Sequence, residues 1–157
     1  MKKITPCLWF DSEAEQAAKF YVGIFKNSKI GKMTRYSEDG PRPKGSVMTV
    51  EFTLDRVEFV ALNGGPQFKF TEAISFSVNC EDQDEIDYFW EKLSADGGST
   101  GQCGWLKDKF GLSWQVNPVF LDDMLGDPDA GKANRVMKVM TQMDKIDIAT
   151  LEKAARG

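Results

Sequence analysis

Residues 4–25, ITPCLWFDSEAEQAAKFYVGIF, decide the fold, because they join a strand to a helix in a pattern that the second half of the chain repeats. From Ile4 to Phe10 the residues alternate in character, which is the period of a strand. From Glu13 to Phe25, residues Ala14, Ala17, Ala18, Tyr21 and Phe25 fall on one helical face, with Asp11 or Ser12 placed to cap it. Apolar segments near 30–36, 47–54 and 57–63 then predict three closely spaced strands.

The same order returns downstream. A strand is predicted over 73–78 and a helix over 82–93, with Ile86, Phe89 and Leu93 on one face. Weaker strands follow around 99–106, and a clear one over 112–117. Phe20-Tyr21 with Phe25 corresponds to Phe89-Trp90 with Leu93, and Asp55-Arg56 leading to Asn63 corresponds to Asp108-Lys109 leading to Asn117. One helix followed by tightly spaced strands favours hairpins over a parallel doubly wound sheet. The expected fold is therefore α+β: two βαβββ modules, residues 1–66 and 67–118, with curved, mostly antiparallel sheets around a cleft. A helical extension over 119–157 follows, with segments at 121–125, 130–143 and 148–155. Within it Val136, Met137, Met140 and Met143 form a stripe that reads as core, as subunit contact or as an adaptable lid over a ligand.

Composition narrows the partners. The chain has 157 residues, a formal charge of −4 and no histidine. Without clustered Lys and Arg it lacks what a nucleic-acid backbone recruits, and no apolar run is long enough to predict a membrane span or a signal segment. Three cysteines, at 7, 80 and 103, cannot all pair and form no C-x-x-C, so reduced thiols in a cytoplasm are expected.

Alternation along the strands divides them into two faces. Ile4, Leu8 and Phe10, Val60 and Leu62, Ile74, Phe76 and Val78, and Leu112, Trp114 and Val116 make an apolar face expected to pack beneath the helices. Between them fall Thr5, Cys7 and Trp9; Phe59, Ala61 and Asn63; Ala73, Ser75 and Ser77; and Ser113, Gln115 and Asn117. A solvated face more often carries Lys and Glu, so this mixture of hydroxyl, amide, indole and thiol reads as a ligand-binding surface, with packing or solvent as the alternative. Trp9 and Trp105 could stack on a planar ligand. Cys7 has no neighbouring His or evident cation and reads as an inert thiol more readily than as a nucleophile.

Several stretches together carry a family resemblance: Ile4 to Phe10, Glu13 to Tyr21, Phe59 to Gly65, Gly101 to Asp108 and Gly111 to Gln115. The sequence resembles the PhnB-like branch of the vicinal oxygen chelate superfamily, a branch often labelled 3-demethylubiquinone-9 3-methyltransferase domain, with glyoxalase I, bleomycin-resistance proteins and extradiol dioxygenases as wider relatives. The resemblance implies paired βαβββ modules and a homodimer. Metal-using relatives place His or Glu at inward positions that correspond here, by strand register, to Thr5, Ala61, Ala73 and Gln115. These side chains are not a competent ligand set, so no metal is expected and no cofactor is assigned.

The absence of histidine also removes the usual general base and any Ser-His or Cys-His pair. Nor does either strand-to-helix junction, Phe10 to Glu13 or Asn79 to Asp82, contain the glycine that a nucleotide-binding turn uses. The functional expectation is a metal-independent small-molecule-binding protein that sequesters or acts on an aromatic or quinone-like compound. The alternatives are a methyltransferase-type enzyme, as the family label suggests, and a homodimeric interaction module without catalysis.

Overall fold

Ala14, Ala17, Ala18, Tyr21 and Ile24 are the residues that helix α1 (Ala14–Ile24) buries, so its apolar stripe is the one read from the sequence, with Ile24 replacing Phe25. In the computed structural model, which describes residues 2–157, α1 lies on a sheet of β1 (Cys7–Phe10), β2 (Lys29–Arg35), β3 (Val47–Leu54) and β4 (Val57–Asn63) in the order β1-β4-β3-β2. β1 pairs with β4 in parallel, and the other pairings are antiparallel. Tyr21 stacks on Phe52 at 6.1 Å and Phe52 on Phe59 at 5.3 Å, a column of rings that ties helix to sheet.

The second half repeats this plan. β5 (Ser75–Cys80), α2 (Gln83–Ser94), β6 (Ser99–Thr100), β7 (Trp105–Lys107) and β8 (Ser113–Pro118) give the sheet β5-β8-β7-β6, with β5 and β8 parallel. The chain divides into two compact units, one closing at Phe70 and the other running Thr71–Gly157. The extension, α3 (Leu121–Leu125), α4 (Ala130–Met140) and α5 (Ile148–Arg156), folds within the second unit and buries Val136, Ile146 and Leu151 completely. Helix α4 ends at Met140, and the chain beyond it braces the turn before β7, where Cys103 N–H donates to the Met143 carbonyl at 2.8 Å and Gly104 N–H to that of Asp144 at 2.7 Å. The methionine stripe accordingly splits: Val136 is core, while Met137 is 43 % exposed. Among the described residues no helix is long and apolar enough to cross a membrane.

Three expectations need correction. Helix α1 is capped by neither Asp11 nor Ser12: the Ala14 N–H donates to Asn63 Oδ1 at 2.8 Å, so the cap comes from β4. Thr5 with Ile4, and Ala73 with Ile74, lie outside the strands, and the two isoleucines are 85 % and 57 % exposed instead of packing under helices. Pro6 offers no N–H to extend β1 further back, and 72–73 form a turn. Most important, β4 is inverted. Phe59, Ala61 and Asn63 are 6 %, 0 % and 5 % exposed and face α1, whereas Val60 and Leu62 turn to the opposite side.

Candidate functional site

Each sheet has one face under its helix and one open face, and cross-strand partners share a face. In the second unit the pairing sets Ser77, Gln115 and Trp105 in one row, Ser75, Ser113 and Lys107 in the next, and Asn79 beside Asn117. Phe76, Val78, Trp114, Val116 and Leu106 occupy the other side, as the alternation in SWQVNP predicts. The open face is thus hydroxyl and amide with an indole and an ammonium at its β7 margin.

Its hydrogen bonds are only partly closed. Gln115 Nε2 donates to Ser75 Oγ at 2.9 Å, leaving the amide with a second N–H and its own oxygen. Lys107 Nζ pairs with Glu72, and that hydrogen bond holds the Glu72 carboxyl below its ordinary range. Ser113 Oγ and Asn117 Oδ1 are buried with no partner among the described residues. Such orphaned polar atoms are rare in folded proteins, because burial without a partner costs about 1–3 kcal/mol. Gly104 sits against this row with φ +79, and a Cβ there would come within 2.6 Å of Asn117 Oδ1, so only glycine fits.

The first unit presents a different open face. One row runs Cys7, Val60, Glu51 and the next Trp9, Leu62, Thr49, Thr34, with the two threonine hydroxyls 2.5 Å apart. Trp9 is fixed on three sides: its indole N–H donates to the Gly65 carbonyl at 2.9 Å, Phe68 meets it edge-on at 5.0 Å, and Gly64 lies so close that a Cβ there would come within 2.2 Å of the ring. The Cys7 thiol is pushed up by burial and so stays protonated near neutrality, a poor nucleophile.

Of the residues expected to contact a ligand, Cys7, Trp9, Ser75, Ser77, Trp105, Gln115 and Asn117 lie on open faces. Phe59, Ala61 and Asn63 do not, and Thr5 and Ala73 are exposed outside the strands. Asn63 is engaged entirely in structure: besides capping α1 it donates from Nδ2 to the Val47 carbonyl at 3.1 Å, and its own carbonyl accepts from Tyr36 Oη at 2.6 Å. The open faces also carry Glu51, Val60, Leu62 and Lys107, which the sequence reading did not place there. For β4 the signal was turn length. Asp55-Arg56 is a two-residue hairpin turn with both φ positive, but Asp108 to Leu112 is a five-residue loop, so Asn63 and Asn117 are not equivalent.

The donor set does not suit a divalent metal of the imidazole-and-carboxylate kind. The chain has no histidine, the corrected register puts Val60 or Leu62 where Ala61 was assigned, and among the described residues no three His, Cys, Asp or Glu side chains gather. The first turns of both module helices are also closed by the protein itself, α1 by Asn63 and α2 by Asp82, whose side chain accepts from Glu85 N–H at 2.9 Å.

Comparison with known proteins agrees with this architecture. A family profile described as 3-demethylubiquinone-9 3-methyltransferase matches residues 2–117. A PhnB protein from Bacillus cereus, provisionally described as a 3-demethylubiquinone-9 3-methyltransferase, is 37 % identical, covering 74 % of this chain and 99 % of its own, with a TM-score of 0.68. Protein PA1353 from Pseudomonas aeruginosa is 21 % identical over 75 % of this chain and 98 % of its own, TM-score 0.61. The fosfomycin resistance protein FosX from Listeria monocytogenes, solved with Mn(II) and sulfate, is 15 % identical over 80 % and 97 %, TM-score 0.53. The last two show likeness of fold alone. A search of curated proteins returns no match.

Proposed function

Since this chain belongs to the 3-demethylubiquinone-9 3-methyltransferase family, the PhnB-like branch of the vicinal oxygen chelate fold, we propose that it binds a small, planar, oxygen-bearing organic molecule without a metal. The observation that carries this reading is Ser113 Oγ, fully buried, unpartnered, and set between Ser75 and Lys107 on the open face of the second sheet. A ligand carbonyl would accept from the remaining N–H of Gln115, and from the Ser113 hydroxyl once the side chains that cover it move aside, while Trp105 in the neighbouring row offers a ring to stack on. Quinone-like compounds match this set of groups.

Methyl transfer is not carried over from the family description. The helix N-termini that would receive a nucleotide's phosphates or carboxylate are already capped by Asn63 and Asp82, and neither junction contains glycine. The same reading takes the working form as a homodimer in a reducing cytoplasm. Light scattering at binding concentrations should return twice the chain mass, and a monomer alone would overturn that part.

Duroquinone is a suitable probe, because its fully methylated ring does not add the Cys7 thiol. Followed by tryptophan quenching, Ser113→Ala and Gln115→Ala should each weaken its binding roughly three- to tenfold, the loss of one hydrogen bond. Ser113→Ala should raise stability by about 1–3 kcal/mol, since it removes a buried hydroxyl that has no partner in the free protein. Unchanged affinity in both variants would remove the second sheet's open face from the site.

A further inference from the structure

The open face of the first unit differs from that of the second in a way that points to ligand charge. Its two rows place an indole at one corner and a carboxylate at the other. Trp9 on β1 is held rigid by Gly65, Phe68 and Gly64, and Glu51 lies two strands away on β3, one row along. At the usual strand spacing and rise their backbones are about 10 Å apart across the sheet and about 7 Å along it, roughly 12 Å in all, with half-buried Val60 and Leu62 between them. A fused aromatic ring laid on the indole covers most of that gap, and the length of the Glu51 side chain suffices for the remainder.

Glu51 is the charged group of these two rows. It is exposed, and among the described residues no cation pairs with it. The facing stretch of β2 is irregular between Ile30 and Met33, and Gly31 stands beside Glu51, where a Cβ would come within 3.2 Å of the Glu51 Cβ. In the row beyond, Glu58 and Lys29 stand at opposite ends of Thr53, and Lys32 lies in the irregular stretch of β2; among the described residues neither lysine is within ion-pair distance of Glu51. At the Trp9 end, Arg42 lies beside Gly65 and pairs with Asp11 at 3.5 Å.

We propose that the open face of the first unit selects planar aromatic molecules that carry a positive charge, with Trp9 as the stacking wall and Glu51 as the counter-charge. An aromatic cation gains twice here, from the indole's negative face and from the carboxylate, whereas its neutral isostere gains only the stacking. The inference rests on the reading of the open sheet faces as ligand surfaces and adds the class of molecule that this face takes.

Calorimetric titration with N-methylquinolinium and with neutral quinoline, above neutral pH, tests it. The wild-type protein should bind the cation roughly three- to tenfold more tightly than the neutral ring, a preference that shrinks as salt is added. Glu51→Gln should remove the preference while leaving quinoline unaffected, and Glu51→Asp should retain part of it; both changes fall at an exposed strand position that the fold does not need. Equal affinities, or a preference that survives Glu51→Gln, would overturn the inference while duroquinone binding still supported the broader reading. If neither ring nor duroquinone bound, both would fall.

Discussion

Replacing Asp108 with Ala should lower the unfolding free energy by roughly 3–4 kcal/mol, the largest single effect we expect in this chain. Asp108 is 2 % exposed and its carboxylate organises the whole β7–β8 loop. Oδ1 accepts from Phe110 N–H at 2.8 Å and from Leu112 N–H at 3.1 Å, and Oδ2 accepts from the Trp114 indole at 2.9 Å. Leu112 is 0 % and Trp114 3 % exposed, so water has little access to the donors left behind. Relief of the buried charge offsets part of the loss, which is why the figure stays below the sum of three charged hydrogen bonds. Asp108→Asn retains one acceptor oxygen but turns an N–H₂ toward other donors and should recover less than half. Urea denaturation of the three proteins at one pH measures this. A loss under about 1 kcal/mol would mean that burial of Leu112, not the carboxylate, holds the loop.

Asn63→Ala should cost about 2–3 kcal/mol and leave ligand binding unchanged. The side chain closes two gaps at once, the first N–H of α1 and the carbonyl of Val47 at the start of β3. Ala14 is 0 % exposed, so its N–H finds no water when the amide is removed. Asn63→Asp keeps the acceptor and adds a charge favourable to the helix dipole, yet sets a carboxylate oxygen against the Val47 carbonyl, so it should fall between the two. Hydrogen exchange in the first turn of α1 reads the cap directly, and duroquinone titration reads the site. A tenfold loss of affinity in a still-folded Asn63→Ala protein would return Asn63 to the ligand surface and undo the corrected register of β4.

That correction marks the limit of what the sequence discloses. In β8 the order Ser-Trp-Gln-Val-Asn separates polar from apolar positions cleanly, and the face assignment there agrees with the fold. In β4 the order Val-Glu-Phe-Val-Ala-Leu-Asn has apolar residues on both sides, so alternation alone cannot choose. Three-dimensional partners choose: Phe59 continues the stack of Tyr21 and Phe52, and Asn63 meets a helix terminus that lies 49 residues earlier in the chain. No local cap signal could reveal that contact. The stripe of α1 was legible because small alanines at helical spacing admit one packing face. Glu51 was not, because a glutamate on a strand resembles any solvated position until its row neighbours are known. Ser113 was placed on its face from sequence, but its missing partner is a property of the folded surroundings.

The central claim, that the open face of the second sheet binds a small oxygen-bearing molecule without a metal, is tested most directly by nuclear magnetic resonance on chelator-treated protein titrated with duroquinone. We expect saturable shifts of the Ser75, Ser77, Ser113 and Gln115 amides and of the Trp105 indole, with the Asn63 side chain unmoved. Shifts confined to other elements, or shifts that appear only when a divalent cation is restored, would contradict the account.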